Sequence, residues 1–255
     1  MTDFDALVAE GEAAPVAGWD FSWFEGRATE QRTSWHYAQR AAERLAGVDS
    51  SLDIETGGGE VYAFALGRAA RVPGEVRATE SWPPNLAIAR TTLAPFGGTV
   101  VELADDAPLP FDDGAFGLVL SRHPTTTQWT EIARVLRPGG LFLAQQIVHG
   151  TNRDLYEFMM GPQWVDPVSA EEHARAGAAA AGLEILDWRQ ESPLLEFFDV
   201  AAVIVFLRKV IWTVPDFSVE KYHDRLLAMH ELIEREGRFV SRGERGLVEA
   251  RKTAD

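Results

Sequence analysis

Five short runs of strand length occupy the middle of the chain; three of the four gaps between them hold a stretch of helical period, and the gap Asp105–Phe116 reads as a loop. The runs are Ser51–Ile54, Glu75–Glu80, Thr99–Ala104, Gly117–Ser121 and Leu141–Val148. Runs of this length fit strands, and the intervening stretches are long enough to carry a helix back across a sheet face. Such alternation predicts an α/β fold with a mostly parallel sheet and helices on both faces.

Local signals mark where the helices begin and stop. The first expected helix starts near Glu60. Pro83 and Pro84 open the next, which runs through Leu93, because proline suits a first helical turn. Thr127–Leu136 reads as a helix buried through Trp129, Ile132, Val135 and Leu136, with Arg137-Pro138-Gly139-Gly140 as its stop. Ser169 and Glu172 have the spacing of a capping box for an alanine-rich helix ending at Gly182. A sixth strand follows at Leu183–Arg189, and Gly246–Lys252 alternates as a seventh. Between them, about 194–238 reads as a helical insertion: Asp199 caps an apolar helix and Ser218 begins an amphipathic one. Residues 1–49 read as an aromatic-rich N-terminal lid, helical from about Ser34, before a main domain at 50–255.

Charge narrows the class of ligand. Asp and Glu outnumber Lys and Arg 39 to 24, a net charge of −15. Proteins that grip nucleic-acid phosphates present a basic stripe, and this chain has no Lys/Arg block. With no cysteine, disulfides and thiolate metal sites are excluded, and the expected location is the cytoplasm. The N-terminus is acidic, without the basic start of a secretory signal. The most apolar run, Val200–Leu207, falls far short of the about 20 residues a membrane helix needs. The histidines show no metal-ligand spacing, so no metal is expected.

The first strand runs into "DIETGGGE", Asp53–Glu60. Glycines there let a backbone approach a bound cofactor closely. The spacing does not fit the dinucleotide pattern, and Glu55 and Glu60 would repel a pyrophosphate. A cofactor carrying positive charge is the better match.

In this order and spacing the chain resembles class I S-adenosylmethionine-dependent methyltransferases, over about residues 50–148. That family opens with an acid followed by G-x-G-x-G. Here Asp53 is the acid, Gly57 and Gly59 are the second and third glycines, and Glu55 replaces the first. The resemblance implies a Rossmann-like seven-stranded sheet and S-adenosyl-L-methionine as cofactor. It implies that Glu80, ending the second strand 27 residues after Asp53, binds the ribose hydroxyls, with Ser81 and Trp82 flanking ribose and adenine. Asp105, with Asp106 beside it, takes the adenine amine. Thr56 contributes its backbone, and Glu55 either meets the α-ammonium or turns outward to cap the next helix. "LPFDDGAFGLVLSRH…EIARVLRPGGLFL" matches the family's later motifs.

After the fourth strand, Ser121, Arg122 and His123 stand where the family holds the methionyl moiety and meets the substrate. Arg122 is the candidate partner of a carboxylate, and His123 the candidate catalytic base, since imidazole titrates near neutrality. His149, after the fifth strand, and Trp35 and Tyr37 in the lid are candidate substrate contacts. Phe158–Met160 with Gly161–Trp164 reads as the lip of an apolar pocket. The lid and insertion are expected to cover the cleft. The expected reaction is methyl transfer to an oxygen or nitrogen of a small molecule. An RNA methyltransferase, a non-catalytic descendant that binds cofactor or a partner, and a nicotinamide-dependent dehydrogenase are the other readings. A homodimer is left open, and no membrane partner is expected.

Overall fold

The computed structural model describes residues 3–16 and 21–253. Its strands are β1 (Ala28–Glu30), β2 (Ser50–Ile54), β3 (Glu75–Glu80), β4 (Thr99–Glu102), β5 (Phe116–Arg122), β6 (Leu136–Ile147), β7 (Leu183–Glu191), β8 (Leu194–Phe197), β9 (Phe239–Arg242) and β10 (Arg245–Lys252). Its α-helices are α1 (Phe4–Ala13), α2 (Tyr37–Leu45), α3 (Glu60–Arg68), α4 (Pro83–Leu93), α5 (Trp129–Val135), α6 (Arg153–Met160), α7 (Ala170–Ala180), α8 (Val200–Lys209) and α9 (Val219–Glu236). The chain divides into two compact units. One is Met1–Arg32, His149–Asp166 and Glu191–Glu244; the other is Thr33–Val148, Pro167–Gln190 and Arg245–Asp255.

The larger unit holds a seven-stranded sheet in the order β4-β3-β2-β5-β6-β10-β7. β2 pairs in parallel with β3 on one side and with β5 on the other. The chain therefore winds outward through β3 and β4, then returns to the far side of β2. That reversal opens a crevice beyond the carboxyl ends of β2 and β5, where ligands of open α/β sheets bind. All of β2 is buried, which explains its short apolar run. β10 runs antiparallel to β6.

The stop expected at Arg137–Gly140 takes another form. These residues lie inside β6 as a bulge: Phe116 pairs with Leu136, and Leu118 with Leu141. One residue of β5, Gly117, thus faces four of β6, and Gly139 at φ 75° makes the fold-back.

Residues 33–49, expected within the lid, belong to this unit. Arg40 and Arg44 on α2 both clasp Glu249 of β10, at 2.8 and 2.6 Å, and Arg40 also pairs with Asp187 of β7 at 2.6 Å. Burial pushes the Glu249 carboxyl up, but hydrogen bonds from Arg44 and Arg40 more than offset it and hold the group below its ordinary 4.5.

The smaller unit packs α1, α6, α8 and α9 with a three-stranded antiparallel sheet, β1-β8-β9. α8 is the apolar helix of the sequence, and every residue of it but Arg208 is buried. Asp199 caps it as expected, accepting from the Ala202 N–H at 2.8 Å. Gly11 on α1 lets the two helices touch, because a Cβ there would stand 2.9 Å from Ile204. The three strands are three or four residues each, too short to show a period, so this unit carries sheet that its sequence does not predict. Phe158–Met160 lie on α6, with Met159 buried in this unit's core. No helix among the described residues is long and apolar enough to cross a membrane.

Candidate functional site

The crevice is built at the ends of β2, β3 and β5. Asp53 is the fourth residue of β2 and buried. Its Oδ2 accepts from the Thr56 hydroxyl at 2.6 Å. Burial pushes this carboxyl up to about 7, against the lowering effect of the Thr56 bond and the nearby Arg122 charge.

The glycine loop then turns with three left-handed residues. Glu55 has φ 55°, Gly57 63° and Gly59 80°. Glu55 thus adopts the backbone that glycine takes without cost, at a strain of order 1 kcal/mol or more. The loop is pinned to β3 by the Thr56 N–H donating to Thr79 O at 2.9 Å and the Glu55 N–H to Thr79 Oγ1 at 3.3 Å. A Cβ on Gly57 would meet nothing within 4 Å, so this backbone faces open space. Gly59 has no such room, because Leu93 stands 3.2 Å from its Cβ position.

Glu80 ends β3 and is buried. Its Oε2 accepts from the Gly57 N–H at 2.7 Å and its Oε1 from the Trp82 N–H at 2.9 Å. The two bonds fix the plane of the carboxylate and leave each oxygen a further lone pair. Trp82 itself is exposed, one residue before α4, and Ser81 is half-buried.

Glu55 neither caps α3 nor points away. Its Oε2 accepts from the Thr125 N–H at 2.8 Å and its Oε1 from the Thr125 hydroxyl at 3.3 Å, so it spans from β2 to the loop after β5. The same hydroxyl lies 3.3 Å from Asp105 Oδ2, and Gln128 Nε2 donates to Asp105 O at 2.6 Å. Burial raises the Glu55 carboxyl to about 7; bonds from Thr125 oppose this, while Asp105 and Glu80 add repulsion. Asp106 is exposed. Four carboxylates, those of Asp53, Glu55, Glu80 and Asp105, therefore come together at one end of the sheet.

On the β5 side, Ser121 is buried and its hydroxyl donates to Ile54 O at 3.1 Å. Arg122 is exposed. His123 is half-buried at φ 60°, its N–H donating to Gln145 O at 2.7 Å and its Nε2 2.8 Å from Gln145 Nε2. Burial, with the Arg122 and Arg245 charges, holds the imidazole well below its ordinary 6.5. Ile54, Ser121, Pro124, Thr127, Ile132 and Phe142 line a small recess beside it.

Trp35 and Tyr37 are both buried in this unit. The Trp35 indole donates to Gln145 Oε1 at 2.7 Å, and the Tyr37 hydroxyl lies 3.1 Å from Ser121 O and 3.4 Å from Leu143 O. Their polar atoms are committed within the protein. His149 is exposed and belongs to the smaller unit. Sequence reasoning missed Thr79, Thr125 and Gln145. Only Gln145 left a trace, as a polar residue directly after the apolar run Leu141–Ala144.

Residues 52–144 match the methyltransferase domain family by sequence. The match spans the glycine loop, β3 with Glu80, and the β5–β6 pair. Among solved structures, the YcgJ protein of Bacillus subtilis superposes with a TM-score of 0.58 at 16% identity, over 86% of this chain and 97% of that one. A protein of Bacillus halodurans assigned to the methyltransferases gives 0.56 at 20% identity, over 84% and 96%. The geranyl diphosphate C-methyltransferase of Streptomyces coelicolor, in complex with S-adenosyl-L-homocysteine, gives 0.50 at 14%, over 85% and 75%. At these identities the likeness is one of fold. No curated protein matches the chain by sequence.

Proposed function

We propose that the protein is an S-adenosylmethionine-dependent methyltransferase acting on an oxygen or nitrogen of a small molecule. The observation that carries this reading is Glu80: a buried carboxylate at the end of β3, oriented by two backbone N–H bonds, each oxygen keeping a lone pair for a ribose diol. The rest of the crevice fits the same cofactor. Open space faces the Gly57 backbone, as a close-lying nucleoside requires. The carboxylates of Asp53, Glu55 and Asp105 suit a ligand with a sulfonium and an ammonium, and would repel a pyrophosphate.

When bound, the cofactor supplies an electrophilic methyl group open to in-line displacement. The chain's residues bind and orient. Glu80 holds the ribose, with Ser81 and the exposed Trp82 ring beside it. Asp105 accepts from the adenine amine, and Arg122 pairs with the methionyl carboxylate. Glu55 would supply a carboxylate for the α-ammonium, whose charge would offset the repulsion from Asp105. Positioning and exclusion of water supply the rate. A net charge of −15 supports a small acceptor over RNA.

Calorimetry on the full chain tests this with S-adenosylmethionine, S-adenosylhomocysteine and NAD in turn. Heat is expected from the two sulfur nucleotides and none from NAD. Glu80→Ala should weaken both by tenfold or more, since a hydrogen bond to a charged group contributes about 1.5–3 kcal/mol. Absence of binding by either sulfur nucleotide refutes the proposal and leaves the non-catalytic descendant.

A further inference from the structure

Gln145 is a buried amide near the end of β6 with its hydrogen-bonding groups committed on both sides. Its Oε1 lies 2.7 Å from Trp35 Nε1 and 3.4 Å from the Thr33 hydroxyl. Its Nε2 lies 2.8 Å from His123 Nε2, while its backbone O receives the His123 N–H at 2.7 Å.

Donor and acceptor chemistry decides the orientation. An indole nitrogen can only donate, so the atom facing Trp35 must be the amide oxygen. The opposite rotamer of the amide would set two donors against each other at 2.7 Å. The atom facing His123 is then the NH₂ group, which also can only donate. His123 Nε2 must accept, so it carries no proton, and the ring's proton sits on Nδ1. Nδ1 has no partner among the described residues, and the ring is half-buried.

We propose that Gln145 is a positioning residue that fixes His123 as a neutral imidazole protonated on Nδ1. His123 then offers a donor to an oxygen of the acceptor substrate and is not its base. The assignment to a substrate rests on the methyltransferase reading; the tautomer does not. The fixed geometry extends beyond the amide. The αL backbone of His123 and the bond to Gln145 O hold the ring from its own main chain. The charges that face it, those of Arg122 and Arg245, also oppose a second proton.

The test is ¹⁵N NMR of the full chain with labelled histidine, the His123 ring assigned by its loss in His123→Asn. At pH 7 the wild-type ring should show an unprotonated Nε2 and a protonated Nδ1, with no titration in the ordinary imidazole range near 6.5. Gln145→Glu keeps an acceptor for Trp35 but replaces the donor facing His123 with a second acceptor. It should protonate Nε2 and move the titration midpoint upward by about one pH unit or more. Trp35→Phe removes the donor that orients the amide and should yield mixed tautomers. A wild-type ring carrying its proton on Nε2 overturns the proposal, and this measurement stands even if a variant fails to fold. So does a Gln145→Glu ring identical to wild type. Calorimetry with S-adenosylhomocysteine runs in parallel: a fixed tautomer without cofactor binding upholds the role of Gln145 and counts against the reaction.

Discussion

Glu55 makes the affinity for a cationic cofactor depend on pH, and the structure sets the window. In the free protein its carboxyl is pushed up to about 7, first by burial and then by Asp105 and Glu80, so below that pH it is largely protonated. An α-ammonium beside it favours the ionised form, so binding must release a proton whenever the solution is more acidic than pH 7. For one such group, affinity falls by about tenfold per pH unit below 7 and levels off above about 8. Asp53 lies near the same value, and the slope approaches about a hundredfold per unit if both must ionise. The sign of the stability effect is opposite. A carboxyl raised in the folded state contributes stability that is fully present below its unfolded value near 4.5 and is lost as pH rises through 7. The free protein is thus expected to lose thermal stability between pH 5 and 8 in the region of the crevice, while gaining affinity. Isothermal titration with S-adenosylhomocysteine at pH 6, 7 and 8, in two buffers of different ionisation heat, measures both the affinity and the protons released. Glu55→Gln should flatten the part of the slope that belongs to this residue and weaken binding at pH 8. An affinity unchanged from pH 6 to 8, or an unaltered slope in Glu55→Gln, refutes the placement of Glu55 against the cation.

Other outcomes follow from neighbouring geometry. Gly57→Ala adds a methyl group into open space at φ 63°, so its thermal midpoint should fall by the equivalent of only about 1–2 kcal/mol while cofactor affinity drops more than tenfold. Glu249→Ala removes the buried carboxylate that Arg40 and Arg44 share and should cost about 3–5 kcal/mol in chemical denaturation. In the wild type the same carboxyl is held below its ordinary 4.5, so its contribution is present above that value and is lost as pH falls further; Glu249→Gln should blunt the acid-unfolding transition.

Much of the crevice was legible in the chain because it is local. Asp53, Gly57, Gly59 and Glu80 stand at fixed offsets from strand ends, and a parallel sheet brings strand ends to one edge whatever the rest of the protein does. The Glu55 substitution could be seen but not interpreted. Its sequence position suggests an outward cap or a ligand contact, whereas its partner is Thr125, 70 residues away in a run of threonines with no pattern of its own. Trp35 and Tyr37 read as lid aromatics, yet both are buried, because their polar atoms meet Gln145 and Ser121 after chain separations that no periodicity records. β1, β8 and β9 were equally silent, since strands of three or four residues carry too little alternation to read.

The sequence by itself determined the strand–helix alternation, the glycine loop with its flanking acids and the negative charge of the whole. Those properties depend on residue type and short spacing, which the chain keeps however it is folded. Tertiary structure alone decided that RPGG becomes a bulge, that burial, with smaller repulsion from neighbouring carboxylates, raises Asp53 and Glu55 to about 7, and that Gln145 faces an indole on one side and an imidazole on the other. Burial, charge repulsion and the direction of a hydrogen bond each depend on which groups meet in space, and the groups that meet here come from distant segments, Trp35 and Gln145 being 110 residues apart.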